Sequence, residues 1–293
     1  MTLELTSIKS LRSTAAQWRE VGDTVALVPT MGALHAGHMA LVKAAKAEAR
    51  RVVVSIFVNP TQFGPNEDFQ RYPRPIENDL ALLREAGVDA AWIPSVAEMY
   101  PKGFSSSINA GSTSAGLDGD VRPGHFNGVA TVVAKLLLQV APDVALFGQK
   151  DYQQLCVIKQ MVADLNINVR ILGMPTVREA DGLALSSRNQ YLSVEQRAVA
   201  PRLHAALVEL AAELKNTKTV IPTQLGMDRA DNVEGLIEGA KSAIHAAGFA
   251  RIDYLELRAE DTLAPLSTFN QPARLLVAAW LGKTRLIDNI EVR

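Results

Sequence analysis

Residues 28–42 read "VPTMGALHAGHMALV", and the fold can be read outward from this stretch. It continues an apolar run, Val25 to Val28, and opens into the amphipathic segment "GHMALVKAAKAEAR". Strand, glycine-bearing turn and helix in that order form a βα unit. The units repeat. "RVVVSIFV", "VDAAWIP", "DVALFG" and "NVRILGMP" read as strands, with "PIENDLALLREAG", "GVATVVAKLLLQVA" and "KDYQQLCVIKQMVADL" as helices among them. Gly87 suits the position just past a helix end. Continuous apolar strands alternating with helices predict an α/β fold with a Rossmann-like, doubly wound parallel sheet. Such sheets bind ligands in the crevice at the carboxyl ends of their strands.

After about Leu185 the rhythm changes. "SVEQRAVAPRLHAALVELAAEL" and "NVEGLIEGAKSAIHAAG" read as helices, and "RIDYLELR", "ARLLVAAWLG" and "TRLIDNIEV" as strands. A second, smaller α+β domain is expected, with the division at 1–177 and 178–293. The polar stretch "NTKTVIPTQLGMDRADN" between the two helices reads as an exposed loop.

The chain has 293 residues, 48% of them hydrophobic, which is enough for one large core or two smaller ones. Its net charge of -1, without a basic stripe, argues against nucleic acid as a partner. The single cysteine, Cys156, excludes an internal disulfide and fits a reducing compartment. Its apolar neighbours mark it as a packed thiol, not a nucleophile. No apolar run approaches the roughly 20 residues that span a bilayer, and "MTLELTSIKS" lacks the pattern of a signal peptide. The expectation is a cytoplasmic protein with no membrane partner.

The turn itself combines three features. Gly32 and Gly37 let backbone approach a ligand closely. The first N–H groups of the following helix lack intrahelical partners and suit an anion. His35 and His38, three apart, share a helix face. The spacing is neither that of a P-loop nor that of a GxGxxG fingerprint. Zinc helices use i, i+4 spacing, and no cysteine or histidine cluster elsewhere completes a site. Taken alone, the pattern also fits two surface histidines in a loop.

"HAGH" resembles the HxGH motif of the HIGH-type nucleotidyl transferases and class I aminoacyl-tRNA synthetases, where this turn holds the triphosphate of ATP. "LALSSRN", Leu183 to Asn189, stands where those enzymes carry a KMSKS-type motif. "SIFVNPTQF", "RYPR", "VRPGHFNGVATVV", "FGQKDYQQ" and "DGLALSSRNQYLS" together resemble the pantothenate synthetase family, in order, from about residue 24 to residue 193. The last third of the chain carries no such motif.

The resemblance implies ATP-dependent joining of pantoate and β-alanine through a pantoyl-adenylate. The first domain is then the ATP- and pantoate-binding one. His38, His35, Lys150, Ser186, Ser187 and Arg188 are implied at the phosphates. They are the donors and cations that developing phosphate charge requires. Met31, Gly32, Phe147, Gly148, Asp151, Val177 and Leu185 are implied around the nucleotide. Gln62 and Gln154 are implied for pantoate, which needs amide groups beside an apolar wall, here Met31 and Phe63. His125 and Tyr72 are implied as substrate-binding, His125 in a glycine-rich loop near the phosphates and Tyr72 on a mobile segment over the pocket. Lys150 is expected at a helix start, where the dipole opposes a cation unless an anion binds.

Mg2+ enters with ATP. Asp79 matches one of the family's paired carboxylates, but Asn78 replaces the other, which favours a water-mediated contact. A homodimer is usual in the family. Two rivals share parts of the pattern: a transferase that keeps the nucleotide in its product, and a nucleotide-binding module without catalysis. The first does not explain "NPTQF" or "RPGHF", and the second needs neither histidine. A tRNA-charging role is disfavoured by the charge balance.

Overall fold

The computed structural model describes residues 1–65, 67–219 and 229–293. The chain divides into two compact units, Met1–Gln149 with Gln153–Val177, and Arg178–Arg293 with Lys150–Tyr152.

The first unit is built on six parallel strands: β1 (Leu3–Leu5), β2 (Val25–Thr30), β3 (Arg51–Ile56), β4 (Ala90–Trp92), β5 (Val144–Gly148) and β6 (Arg170–Met174). Their order is β1-β4-β3-β2-β5-β6. From β2 the chain winds one way through β3 and β4, and from β5 the other way to β6. The switch point therefore lies between β2 and β5, which pair at Ala26↔Val144 and Leu27↔Ala145. Helices α1 (Ile8–Glu20), α2 (Ala36–Glu48), α3 (Ile76–Glu85), α4 (Val96–Met99), α5 (Asp118–Val121), α6 (His125–Val140) and α7 (Tyr152–Asp164) connect them.

Burial on both faces explains why the strands read as unbroken apolar runs. Ala26, Val28, Val52 and Val54 pack with Leu41, Val42, Ala45, Leu80 and Leu83 of α2 and α3. Val25, Leu27, Val53 and Ala145 between them are buried as well, and α6 lies against β2. The expected doubly wound parallel sheet is present. α3 ends at Glu85, with Gly87 in the left-handed region at φ 64°.

The second unit follows with α8 (Val194–Val199), α9 (Arg202–Thr219) and α10 (Arg229–Ala246). A three-stranded antiparallel sheet completes it, β7 (Arg251–Ala259), β8 (Ala273–Leu281) and β9 (Thr284–Val292) in that order. Leu203, Leu207, Leu210 and Leu214 form the stripe of α9 that meets Leu255, Leu257, Leu275, Val277 and Leu286 of the sheet.

Several expectations need correction. β1 and α1 have no counterpart in the sequence reading; β1 is missed because a three-residue edge strand carries no pattern to detect. α6 starts at His125, not at Gly128, since Gly124 adopts the left-handed conformation that turns the chain into the helix. Lys150 and Asp151 occupy a 3₁₀ turn, Gln149–Asp151, ahead of α7. Cys156 is half-buried. The stretch read as a loop from Asn216 is helical as far as Thr219 and again from Arg229. Its middle, 220–228, lies outside the described residues.

Candidate functional site

In the first unit the glycine–histidine turn leaves the carboxyl end of β2, beside the switch point. Gly32 has φ 83°, and a Cβ there would fall 2.9 Å from Asp79 Oδ2. Ala33 also sits in the left-handed region, at φ 50°. The strained turn is held by Asp79. Its Oδ2 accepts the N–H of Ala33 at 2.9 Å and its Oδ1 that of Leu34 at 2.7 Å. Burial pushes the Asp79 carboxyl up, opposed by these two bonds.

His35 is the N-cap of α2, and the two histidines cap it reciprocally. His35 Nδ1 accepts from Gly37 N at 3.1 Å, and His38 Nδ1 accepts from His35 N at 3.3 Å. The rings lie 4.1 Å apart between centroids. With Nδ1 accepting, the hydrogen of each neutral ring belongs on Nε2. The motif thus aligns two imidazole donors at a helix N-terminus. Sequence spacing predicts the shared face but not the reciprocal cap.

The next loop contributes Gln62. Asn59 Nδ2 donates to Gln62 Oε1 at 3.0 Å, which turns Gln62 Nε2 toward Met31 Sδ, 3.3 Å away. Asn59 also caps its own turn by accepting from Thr61, and it anchors the loop to the Gly128 carbonyl. A Cβ at Gly128 would fall 2.3 Å from Thr61 O, so only glycine lets α6 approach this closely. Met31 and Gln62 are therefore brought together.

His125 is buried at the start of α6. Its Nδ1 lies 2.8 Å from the Gln62 carbonyl and its Nε2 2.9 Å from Arg122. Burial first, and the Arg122 cation second, lower its pKa to about 4. Arg122 in turn makes a bidentate pair with Glu67 at 2.8 and 2.6 Å. Burial works against ionisation of Glu67, but Arg122 outweighs it and holds the carboxyl below its usual range. His125 is thus a neutral, helix-borne strut under the Gln62 loop, not a loop residue. Tyr72, expected over the pocket, is buried with its ring 6.0 Å from Phe63.

Gln153 and Gln154 differ sharply. Gln153 is buried, accepts from Asp118 N at 3.1 Å and donates toward the carbonyls of Thr113, Ala115 and Gly116. Gln154 is half-buried. Phe147 is buried in β5, while Gly148 and Val177 are half-buried.

In the second unit, Arg178–Ala184 forms a short hairpin. Arg178 ties it to Asp288 with two bonds, at 2.7 and 2.8 Å. Arg197 ties it again through Glu179 and Asp181, at 2.6 Å each. Leu185, Ser186, Ser187 and Arg188 follow directly, all half-buried. Ser186 Oγ accepts from Arg188 N at 3.3 Å and caps a 3₁₀ turn, and Asn189 Nδ2 donates to Ala184 O at 3.0 Å. Lys150 Nζ lies 3.9 Å from Asp151 Oδ2, the outer edge of ion-pair range.

The sequence matches the family described as Pantoate-beta-alanine ligase over residues 4–291. This chain belongs to the pantoate-beta-alanine ligase family. It is 55% identical over 286 residues to the pantothenate synthetase of Paramagnetospirillum magneticum, covering 98% of this chain and 96% of that one. The crystal structure of pantothenate synthetase from Thermus thermophilus superposes with a TM-score of 0.89, at 46% identity and 99% coverage of both chains. The pantoate-beta-alanine ligase of Francisella tularensis, complexed with Beta-gamma ATP and beta-alanine, superposes with a TM-score of 0.78. It is 36% identical, covering 99% of this chain and 97% of that one. Family membership makes the chain an enzyme, a ligase of pantoate and β-alanine. No helix among the described residues is long and apolar enough to cross a membrane.

Proposed function

We propose that this ligase activates pantoate with ATP, forms pantoyl-adenylate, and passes the pantoyl group to β-alanine with release of AMP and pyrophosphate. The observation that carries this reading is the reciprocal His35–His38 cap, braced by Asp79 at the switch point of the sheet. A free carboxylate resists an amine because oxide is a poor leaving group. Adenylation replaces it by AMP, and the cost is negative charge on the α-phosphate and on departing pyrophosphate. Preorganised donors meet that charge without reorganising. His38 and His35 supply Nε2–H donors, Lys150 a cation, Ser186 and Ser187 hydroxyls, and Arg188 a planar fork.

In this reading Met31, Gly32, Phe147, Gly148, Asp151, Val177 and Leu185 surround the nucleotide. Gln62 presents Nε2–H to pantoate and Gln154 its amide. The amine then meets an already activated acyl group, so the second step needs little beyond positioning. His125 and Tyr72 support the pocket through Gln62 and Phe63.

The ATP enters as its magnesium complex. Both oxygens of Asp79 already accept backbone N–H groups, and no cluster of three metal-ligating side chains occurs among the described residues. That donor set fits a magnesium held by phosphates and water better than a protein cage. Residues 1–177 act as the ATP- and pantoate-binding domain and 178–293 as the smaller domain. The enzyme works as a cytoplasmic homodimer, which sizing in solution checks. The deciding experiment is exchange of labelled pyrophosphate into ATP. It should require pantoate and magnesium and proceed without β-alanine. Exchange that appears only with β-alanine rejects the two-step route.

A further inference from the structure

The carboxy-terminal strands hold a set of buried polar groups that ends on the backbone of Lys150. Asn289 on β9 is 3% exposed and donates from Nδ2 to the Lys150 carbonyl at 2.8 Å. Its Oδ1 accepts from Arg274 Nη1, on β8, at 2.7 Å. A guanidinium can only donate, so this bond fixes the amide with its oxygen toward Arg274 and its nitrogen toward Lys150. Arg274 pairs across the ladder with Glu291, and Asn289 with Leu276. The two are therefore diagonal neighbours on one face of the sheet. Arg274 also stacks 3.9 Å from the centroid of the Tyr152 ring and reaches Glu260 Oε1 at 3.3 Å. The Tyr152 hydroxyl donates to the Glu260 carbonyl at 2.8 Å.

The segment Lys150–Tyr152 is thus gripped at both ends, at one carbonyl and at one aromatic ring. Burying an arginine and an asparagine is costly, the more so because Arg274 Nε is buried with no hydrogen-bond partner among the described residues, and an apolar pair would fill the same face more simply. What the polar pair adds is a fixed backbone at Lys150. The lysine stem is long and flexible, and anchoring its main chain narrows the volume its ammonium samples.

We propose that Asn289, oriented by Arg274 and seconded by Tyr152, is a positioning residue for Lys150; this rests on the reading of Lys150 as the cation that meets the ATP phosphates. Asn289→Asp is the discriminating variant. An aspartate keeps the size and the bond from Arg274 but cannot donate to the Lys150 carbonyl. With the melting temperature retained, its kcat for pyrophosphate exchange should fall about tenfold or more while the KM for pantoate stays unchanged. In a Lys150→Ala background the same substitution should cost no further activity, because its route to the chemistry is gone. Wild-type exchange in Asn289→Asp, or a full additional loss in the Lys150→Ala background, overturns the proposal. Wild-type exchange in Lys150→Ala alone would overturn the reading of Lys150 and the proposal with it. A fall in Lys150→Ala with none in Asn289→Asp removes only the positioning role. Should Asn289→Asp fail to fold, Tyr152→Phe carries the test. It keeps the ring under Arg274 and loses the bond to Glu260, and a kcat loss absorbed by Lys150→Ala supports the proposal where an unchanged kcat overturns it.

Discussion

Asp79 Oδ1 accepts the backbone N–H of Leu34 at 2.7 Å, across 45 residues of sequence. With Oδ2 on Ala33, both oxygens of the carboxylate are spent on the turn that presents His35 and His38. A carboxylate used this way braces the histidine turn from behind. Asp79→Ala leaves two half-buried N–H groups without their acceptor, at about 1 kcal/mol each. We expect a lower melting temperature and a large fall in turnover. The magnesium concentration giving half-maximal rate should stay unchanged. A shift in that concentration would show that Asp79 contacts the metal instead.

The reciprocal cap makes a separate prediction for His38. His38→Ala removes both the Nδ1 acceptor for His35 N and the Nε2 donor, and turnover should fall by roughly a hundredfold or more. Helix stability should fall by about 1 kcal/mol as a cap is lost. His38→Asn restores an acceptor and one donor on a shorter stem. It should recover the melting temperature and only part of the activity. Equal recovery of both would reduce His38 to a cap.

The architecture was legible in the sequence because strands buried on both faces need apolar residues at every position, and the stretch around Val25 supplies them. β1 escaped because it is short and lies at the edge. The histidine pair was legible through its motif, since the spacing places both at one helix start. Asp79 was harder to read. The family resemblance marks it as one of a carboxylate pair near magnesium, and nothing local reveals that it accepts from Ala33 and Leu34. Asn289 is harder still, because its partner Lys150 lies 139 residues away and the bond goes to a main-chain atom that leaves no compositional trace.

The adjacent glutamines of "DYQQ" should behave oppositely. Gln153 is consumed by the loop from Thr113 to Asp118, so Gln153→Ala should lower the melting temperature by several degrees through lost buried hydrogen bonds. Gln154→Ala should leave stability alone and raise the KM for pantoate severalfold, with little change in the KM for ATP. Kinetics together with thermal melts on the two variants separate the roles. A KM effect confined to Gln153→Ala would reverse the assignment.

The last prediction concerns acid. His125 carries a folded-state pKa of about 4 against an ordinary value of 6.5, owing to burial first and to Arg122 second. Its folded pKa is therefore depressed, and for a histidine the neutral form is the one the fold prefers. Above pH 6.5 the ring is neutral folded or unfolded and contributes nothing to the pH dependence. Between about pH 6.5 and 4 the unfolded chain binds a proton there that the folded chain does not. Stability should accordingly fall as pH drops through that window. Glu67 and Asp118, the carboxylates near the ring, favour its charged form and soften the loss without cancelling it. Replacing the ring by an amide, His125→Asn, should flatten this limb of the stability profile while lowering stability at pH 7, where the Gln62 carbonyl loses a well-placed partner. Denaturant unfolding at half-unit steps of pH from 7 to 4 reads both effects. An unchanged slope in His125→Asn would mean that another group supplies the acid sensitivity.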